Sequence, residues 1–126
     1  MFHSITKNSQ LFELEKRCKT PVKILIEVNT SGENSKHGIS SDMLDPLVEQ
    51  SLKLKNIELC GLMTMAPFTK DEYIIRRSFE KLRILKDRLY NDVDKKICEL
   101  SMGMSNDYEY AILEGSSILR IGSAFF

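Results

Sequence analysis

Short strand-like segments and longer helix-like segments alternate along the whole chain of 126 residues. The strand-like segments are apolar and rich in β-branched residues, which favour strands. They cover residues 22–29, 57–65, 97–102 and 117–121, and residues 2–5 resemble the end of a fifth. Between them, apolar residues recur every three to four positions, as in amphipathic helices. This alternation predicts an α/β fold with a parallel sheet and right-handed crossovers.

Polar residues mark where two of the helices begin. Thr69 followed by Glu72 fits a capping box, in which each side chain bonds the other residue's backbone N–H, and a long helix follows. Ser105 is predicted to cap a short helix that stops at Gly115. Further helices are predicted over residues 11–18 and 44–52.

The spacing of the strands bears on the architecture. A (β/α)8 barrel spends about 31 residues on each βα unit, so this chain holds about four such units. No linker, low-complexity segment or charge block interrupts the sequence. Residues 1–126 are therefore predicted to form one domain, either a small open α/β domain or half of a barrel.

Charge and cysteine content exclude several classes of function. Lys and Arg number 18, as do Asp and Glu, whereas neutralising nucleic-acid phosphates needs a basic excess. No apolar run approaches the roughly 20 residues that span a bilayer, and the N-terminus lacks the pattern of a signal peptide. We expect a cytoplasmic protein that binds neither nucleic acid nor membrane. The three cysteines form no CxxC pair, so no metal site is expected.

Two polar segments follow predicted strands, where parallel α/β proteins bind ligands. In LSMGMSND, residues 100–107, the Ser105 hydroxyl and helix-start N–H groups suit an anion. In LRIGS, residues 119–123, Gly122 permits close backbone approach and Ser123 could hold a phosphate. Spacing alone favours the plainer interpretation, in which Ser105 caps a helix, Gly122 turns the chain and Arg120 is a surface charge.

A polar loop at residues 29–38 contains Glu33, Lys36 and His37. A solvated loop is the better interpretation than a catalytic Lys–His pair. The sequence has no Walker A motif, no GxGxxG and no GxSxG turn on which a Ser-His-Asp triad could stand. We predict no catalytic residues.

Five segments carry a further resemblance. They are HS at 3–4, VNTSGENSKHGI at 28–39, GLMTM at 61–65, LSMGMSND at 100–107 and RIGSAFF at 120–126. Together they resemble the pyridoxal 5′-phosphate (PLP) homeostasis family, which is similar to the N-terminal barrel domain of alanine racemase, and they occur in that family's order and at comparable spacing. The resemblance implies a single-domain (β/α)8 barrel that binds PLP as a carrier or regulator, without catalytic turnover.

The resemblance also implies roles for individual residues. Ser105, with the backbone and hydroxyl at 122–123, would hold the phosphate. Arg120 would face the pyridine nitrogen, and a cation there keeps that nitrogen unprotonated and weakens the ring as an electron sink. Met104 would shape the pocket, and Asn29 would contribute to its wall. The implied cofactor-binding residues are Met104, Ser105, Arg120, Gly122, Ser123 and Asn29.

The resemblance covers the C-terminal half of the family's barrel. The family's first strand, with its Schiff-base lysine, and its final helix have no counterpart here. PLP is therefore expected to bind without a covalent link, weakly or not at all. A half barrel also leaves two open sheet edges and an exposed apolar interior, in which Glu27 loses its partners. We expect association through these edges, as a dimer or with a chain that carries the missing strands.

Two other functions stay open at this point. The chain could be a fragment of a PLP-dependent, racemase-like enzyme, which would need a Schiff-base lysine and a base on the opposite ring face. It could also be a non-functional remnant.

Overall fold

The computed structural model describes residues 1–32 and 38–120, in which strands and helices alternate. The strands are β1 (Phe2–Ile5), β2 (Val22–Glu27), β3 (Ile57–Met63), β4 (Glu99–Met104) and β5 (Ile118–Arg120). The helices are α1 (Asn8–Arg17), α2 (Leu44–Leu52), α3 (Glu72–Asp92) and α4 (Tyr108–Leu113), and a 3-10 turn at Ser41–Met43 precedes α2.

The five strands form one parallel sheet in the order β1-β2-β3-β4-β5. The predicted α/β class, the parallel sheet and the four βα units are confirmed, and residues 2–5 are the fifth strand. The predicted strand over 97–102 begins later, at Glu99, because the Ile97 N–H closes a turn on the Asp94 carbonyl at 3.1 Å.

The main core lies between the sheet and the helices. Ile24, Ile26 and Val28 alternate along one face of the second strand and are fully buried. They pack against apolar side chains of the helices, including Phe79 and Leu82 of α3. Burying a side chain of this size stabilises the fold by about 1.5–3 kcal/mol, so this face fixes which side of the sheet the helices cover.

A bulge in β3 keeps that core face continuous. The register with β2 shifts between the pairs Ile24–Leu59 and Leu25–Gly61. Leu59 and Leu62 therefore both reach the main core although they are three residues apart. Gly61 is required here because a Cβ at this position would meet the backbone carbonyl of Glu99 on the neighbouring strand.

The opposite face of the sheet holds a second, smaller cluster. Leu25, Cys60 and Met63 pack together there, with Met65 and Ile118 against them. The prediction that the apolar interior would be exposed is wrong for the first three, which are at most 6% exposed. Their burial follows from contacts among side chains of neighbouring strands on this face.

The start of α3 differs from the predicted capping box. The helix begins at Glu72, and its N-cap is Asp71, whose carboxylate accepts from the backbone N–H groups of Tyr73 and Ile74. Thr69 instead accepts from the N–H of Asp71, before the helix starts. The prediction that Thr69 is the cap is wrong, since a carboxylate closer to the helix satisfies its first donors. No helix in the described part of the chain is long and apolar enough to cross a membrane.

Candidate functional site at the carboxyl edge of the sheet

The carboxyl ends of β2 to β5 bring polar residues to one edge of the sheet. Parallel strands end on the same side, and ligands of such folds bind there. The predicted residues Asn29, Met104, Ser105 and Arg120 all lie at or just beyond these strand ends. Gly122 and Ser123 lie outside the described residues.

Arg120 ends β5 and reaches across the sheet. Its Nη2 donates to the backbone carbonyl of Thr64, just beyond β3, at 2.9 Å. Its Nε is buried and has no hydrogen-bond partner among the described residues. Burial lowers the pKa of the guanidinium, and the carboxylates of Glu27 and Asp107 act in the opposite direction. Arg120 is thus not the surface charge that spacing alone favoured, because it is half-buried and oriented by a neighbouring strand.

Met104 and Arg120 are register partners, so the structure brings these two predicted residues together. Met104 is 40% exposed at the strand end, where it can contact a ligand. Its backbone N–H donates to the carboxylate of Asp107 at 2.7 Å. This bond folds the segment after β4 into a tight turn.

Ser105 lies in that turn and is exposed. It is not the N-cap, because α4 begins at Tyr108 and Asp107 is its N-cap residue. The Asp107 side chain turns back toward the strand and makes no side-chain cap bond. Burial raises the pKa of the Asp107 carboxyl, whereas the bond from Met104 and the charge of Arg120 lower it. Ser105 lines a small polar cavity of about 190 Å³ with the residues that follow it.

Asn29 lies in a turn after β2. Its side-chain Oδ1 accepts from the backbone N–H of Ser31 at 3.1 Å and from the Ser31 hydroxyl at 2.8 Å. The residue lines a cavity of about 400 Å³ beside Lys81 and Leu85 of α3.

Three buried hydroxyls behind this edge are joined by hydrogen bonds into a series, here called the hydroxyl chain, which sequence reasoning missed. Thr64 Oγ1 donates to the Val28 carbonyl at 2.7 Å, which uses its one proton. Thr30 must therefore donate to Thr64 over 3.0 Å, and Ser78 must donate to Thr30 over 2.7 Å. The hydroxyl chain joins α3 to the ends of β2 and β3.

Two buried carboxylates were not predicted as site residues. Glu27 is 4% exposed, and its Oε2 has no hydrogen-bond partner among the described residues. The sequence did offer a signal for Glu27 as a site residue, because it is a charged residue within the apolar strand VKILIEVN. Asp107 stood within the LSMGMSND segment, but nothing in its spacing indicated burial. The described residues contain no group of three or more His, Cys, Asp or Glu that could hold a metal ion.

The parallel order and the polar carboxyl edge define a segment of a barrel-type α/β protein. The whole chain, residues 1–126, matches the family of the alanine racemase N-terminal domain. The chain belongs to this family, which confirms the resemblance drawn from the sequence.

Relatives by sequence carry the name pyridoxal phosphate homeostasis protein. The one from Aquifex aeolicus is 40% identical over 129 residues, which cover 100% of this chain and 57% of the relative. The one from Homo sapiens is 38% identical over 109 residues, which cover 83% of this chain and 40% of the relative. The chain thus spans about half the length of these relatives.

Solved structures show the same fold. A protein of unknown function from Bifidobacterium adolescentis superposes with a TM-score of 0.91 at 37% identity, over 98% of this chain and 51% of that one. PipY of Synechococcus elongatus without PLP gives a TM-score of 0.84 at 25% identity, over 96% and 58%. PipY with PLP bound gives 0.78 at 24% identity, which shows the fold alone.

The residues at the carboxyl edge fit a phosphorylated pyridine. The Nε of Arg120 is a buried donor without an acceptor among the described residues, and the nitrogen of a pyridine ring is an acceptor. The exposed hydroxyl of Ser105 can donate to a phosphate oxygen.

Proposed function

We propose that this chain binds PLP without a covalent bond at the carboxyl edge of its sheet, as a carrier or regulator rather than an enzyme. The observation that carries the proposal is the buried Nε of Arg120, which has no partner among the described residues. The names of the relatives and the PLP-bound structure of PipY support the choice of cofactor.

Each residue has a defined task in this proposal. Arg120 is held by Thr64 and donates from Nε toward the cofactor ring. Ser105 donates to the phosphate, together with residues 122–123, and Met104 packs against the ring. Asn29 forms part of the outer wall. When bound, PLP supplies a reactive aldehyde on an electron-withdrawing ring.

Titration of PLP against the purified chain, followed by absorbance, tests this binding. Arg120→Ala and Ser105→Ala should each weaken binding by roughly 10- to 150-fold, because a hydrogen bond to a charged group contributes about 1.5–3 kcal/mol. Arg17→Ala and Ser9→Ala are matched controls, since both residues are exposed on α1. Unchanged affinity in both site variants would contradict the proposal.

The absence of turnover is tested separately. Alanine racemisation in the presence of saturating PLP should not exceed the rate with PLP alone. Saturable turnover by the chain would instead favour the racemase-like alternative. If the chain bound PLP without changing the concentration of free PLP in cells, the alternative of a non-functional remnant would be favoured.

We further propose that residues 1–126 are one partial-barrel domain that associates through its edges, as a dimer or with a second chain. Among the described residues, β1 pairs only with β2, and β5 only with β4. Phe2 on the first strand and Phe12 on the first helix are 47% and 49% exposed. Sedimentation over a range of concentrations tests this, and a monomer at all concentrations would contradict self-association.

A further inference from the structure

The backbone carbonyl of Thr64 holds the side chain of Arg120 just beyond the paired part of β3. Arg120 Nη2 donates to this carbonyl at 2.9 Å. β3 ends at Met63, which is the register partner of Ser101 on β4, and Thr64 is the next residue. The Thr64 N–H still donates to the Ser101 carbonyl at 3.1 Å. The Thr64 carbonyl lies past this last bond, so strand pairing alone does not fix the direction in which it points.

The side chain of Thr64 supplies a further restraint on that carbonyl. Thr64 is fully buried, and its hydroxyl donates to the Val28 carbonyl at 2.7 Å and accepts from Thr30 over 3.0 Å. A β-branched side chain has few staggered χ1 positions, and two bonds at one hydroxyl select one of them. Because the allowed rotamer and the backbone dihedrals depend on each other, a fixed side chain also restrains the carbonyl of the same residue.

The hydroxyl chain extends this restraint into the helix layer. Thr30 accepts from Ser78 of α3 over 2.7 Å, and both residues are buried. Water therefore does not compete for these bonds, and the end of β3 is tied to the long helix as well as to β2. Every link from the helix to the guanidinium is a hydrogen bond between buried or half-buried groups.

This link matters because the donors of a guanidinium lie in one rigid plane. A bond that fixes Nη2 of Arg120 therefore limits the directions open to its buried Nε, which has no partner among the described residues. We propose that Thr64 is a positioning residue, which through its carbonyl and the hydroxyl chain directs Nε of Arg120 at the unprotonated ring nitrogen of a bound phosphopyridine. The proposal rests on the proposed function.

The experiment compares two ligands that differ only in the ring atom assigned to Arg120. They are pyridoxamine 5′-phosphate and its analogue with C–H in place of the ring nitrogen. Neither has an aldehyde, so neither forms an imine with lysines. Isothermal titration calorimetry gives the Kd of each. The wild-type chain should bind pyridoxamine 5′-phosphate roughly 10-fold or more tightly than the analogue, because only the nitrogen accepts the charge-assisted hydrogen bond.

Thr64→Val should weaken binding of pyridoxamine 5′-phosphate by about 10-fold and leave binding of the analogue nearly unchanged, so that the ratio of the two Kd values approaches one. A role in stability alone would weaken both ligands equally. Thr64→Ser keeps the hydroxyl and should restore most of the ratio. In an Arg120→Ala background, Thr64→Val should weaken binding of pyridoxamine 5′-phosphate no further, because both changes act on the same bond.

Two further variants complete the test. Ser51→Ala is the matched control, because Ser51 is a buried hydroxyl that donates to the Val48 carbonyl at 2.7 Å within α2, and the ratio should not change. If Thr64→Val does not fold, Thr30→Val takes its place. This variant keeps the bond from Thr64 to the Val28 carbonyl and should lower the ratio roughly threefold, the effect of losing one neutral hydrogen bond.

The outcomes separate the two proposals. An equal loss for both ligands in Thr64→Val, or a ratio unchanged in Thr64→Val and Thr30→Val, overturns the role of Thr64 and leaves the proposed function standing. A wild-type chain that binds both ligands equally well overturns that role together with the contact assigned to Arg120. A wild-type chain that binds neither ligand nor PLP overturns both proposals. A ratio that falls in Thr64→Val and recovers in Thr64→Ser supports both.

Discussion

Arg120 donates through Nη2 to the carbonyl of Thr64 at 2.9 Å, although 56 residues separate them in the chain. The same Thr64 donates through its hydroxyl to the Val28 carbonyl and accepts from Thr30. One residue therefore links the candidate cofactor donor on β5 to the end of β2. Through Thr30 and Ser78 the link continues to α3, so the helix layer helps to hold the guanidinium in place.

Thr64→Val should destabilise the chain by about 1–3 kcal/mol, because it leaves two buried partners unsatisfied. Valine has nearly the same shape, so no cavity forms. Thr64 is fully buried, and the partners left behind are the Val28 carbonyl and the Thr30 hydroxyl. Urea unfolding followed by circular dichroism measures the loss.

Two controls accompany Thr64→Val. Thr64→Ser keeps the hydroxyl and should recover most of the stability. Thr20→Val, at an exposed position, should change the free energy of unfolding very little. If Thr20→Val lowered the free energy of unfolding as much as Thr64→Val does, the hydrogen bonds of the hydroxyl chain would make no specific contribution to stability.

The fold could be predicted from the sequence because strands alternate every two residues and amphipathic helices repeat every three to four. These two periodicities and the order of the segments suffice to define a parallel α/β sheet. Arg120 was placed at the carboxyl edge for the same reason, and alternation along β2 placed Glu27 on the face opposite the core. The hydroxyl chain could not be predicted, since Thr30 meets Thr64 and Ser78 across 34 and 48 residues. The cap of α4 was also missed, because either Ser105 or Asp107 satisfies the sequence rule.

Gly103 should be among the least replaceable residues of the site. It has φ +106°, and a Cβ there would lie 2.7 Å from the Cβ of Ala111 and 2.9 Å from Leu119. Gly103→Ala therefore combines backbone strain with overpacking. Overpacking alone typically lowers the free energy of unfolding by about 1–3 kcal/mol. Gly32→Ala is the matched control, because Gly32 also has positive φ but nothing within 4 Å of the added carbon. Equal losses of unfolding free energy in both variants would show that α4 yields to the added carbon.

The cysteines should react with a thiol reagent in separate phases. Cys98 is exposed, whereas Cys60 is buried and its thiol pKa is raised by burial and by the nearby Glu58. Because the thiolate is the reactive form, Cys60 should react only when the structure opens. Cys98→Ser should remove the fastest phase at neutral pH, and urea should accelerate the Cys60 phase. A fast phase that disappears instead in Cys60→Ser would contradict the packing of the second cluster.

Asp107 should make the chain less stable as pH rises. Burial is the main cause of its raised pKa, so the folded state binds its proton more tightly than the unfolded state does. The stabilising contribution of this proton is complete below the carboxyl's ordinary pKa of 3.8 and is lost as pH rises through the higher folded-state value.

Asp107→Asn keeps the acceptor for the Met104 N–H but cannot ionise. The variant should therefore gain stability relative to wild type between about pH 3 and pH 7. Urea unfolding of both proteins across this range measures the difference, and Asp107→Ala, which loses the acceptor, should be less stable than Asp107→Asn at every pH. A difference between wild type and Asp107→Asn that stays constant with pH would show that Asp107 ionises in the folded chain as readily as in the unfolded one.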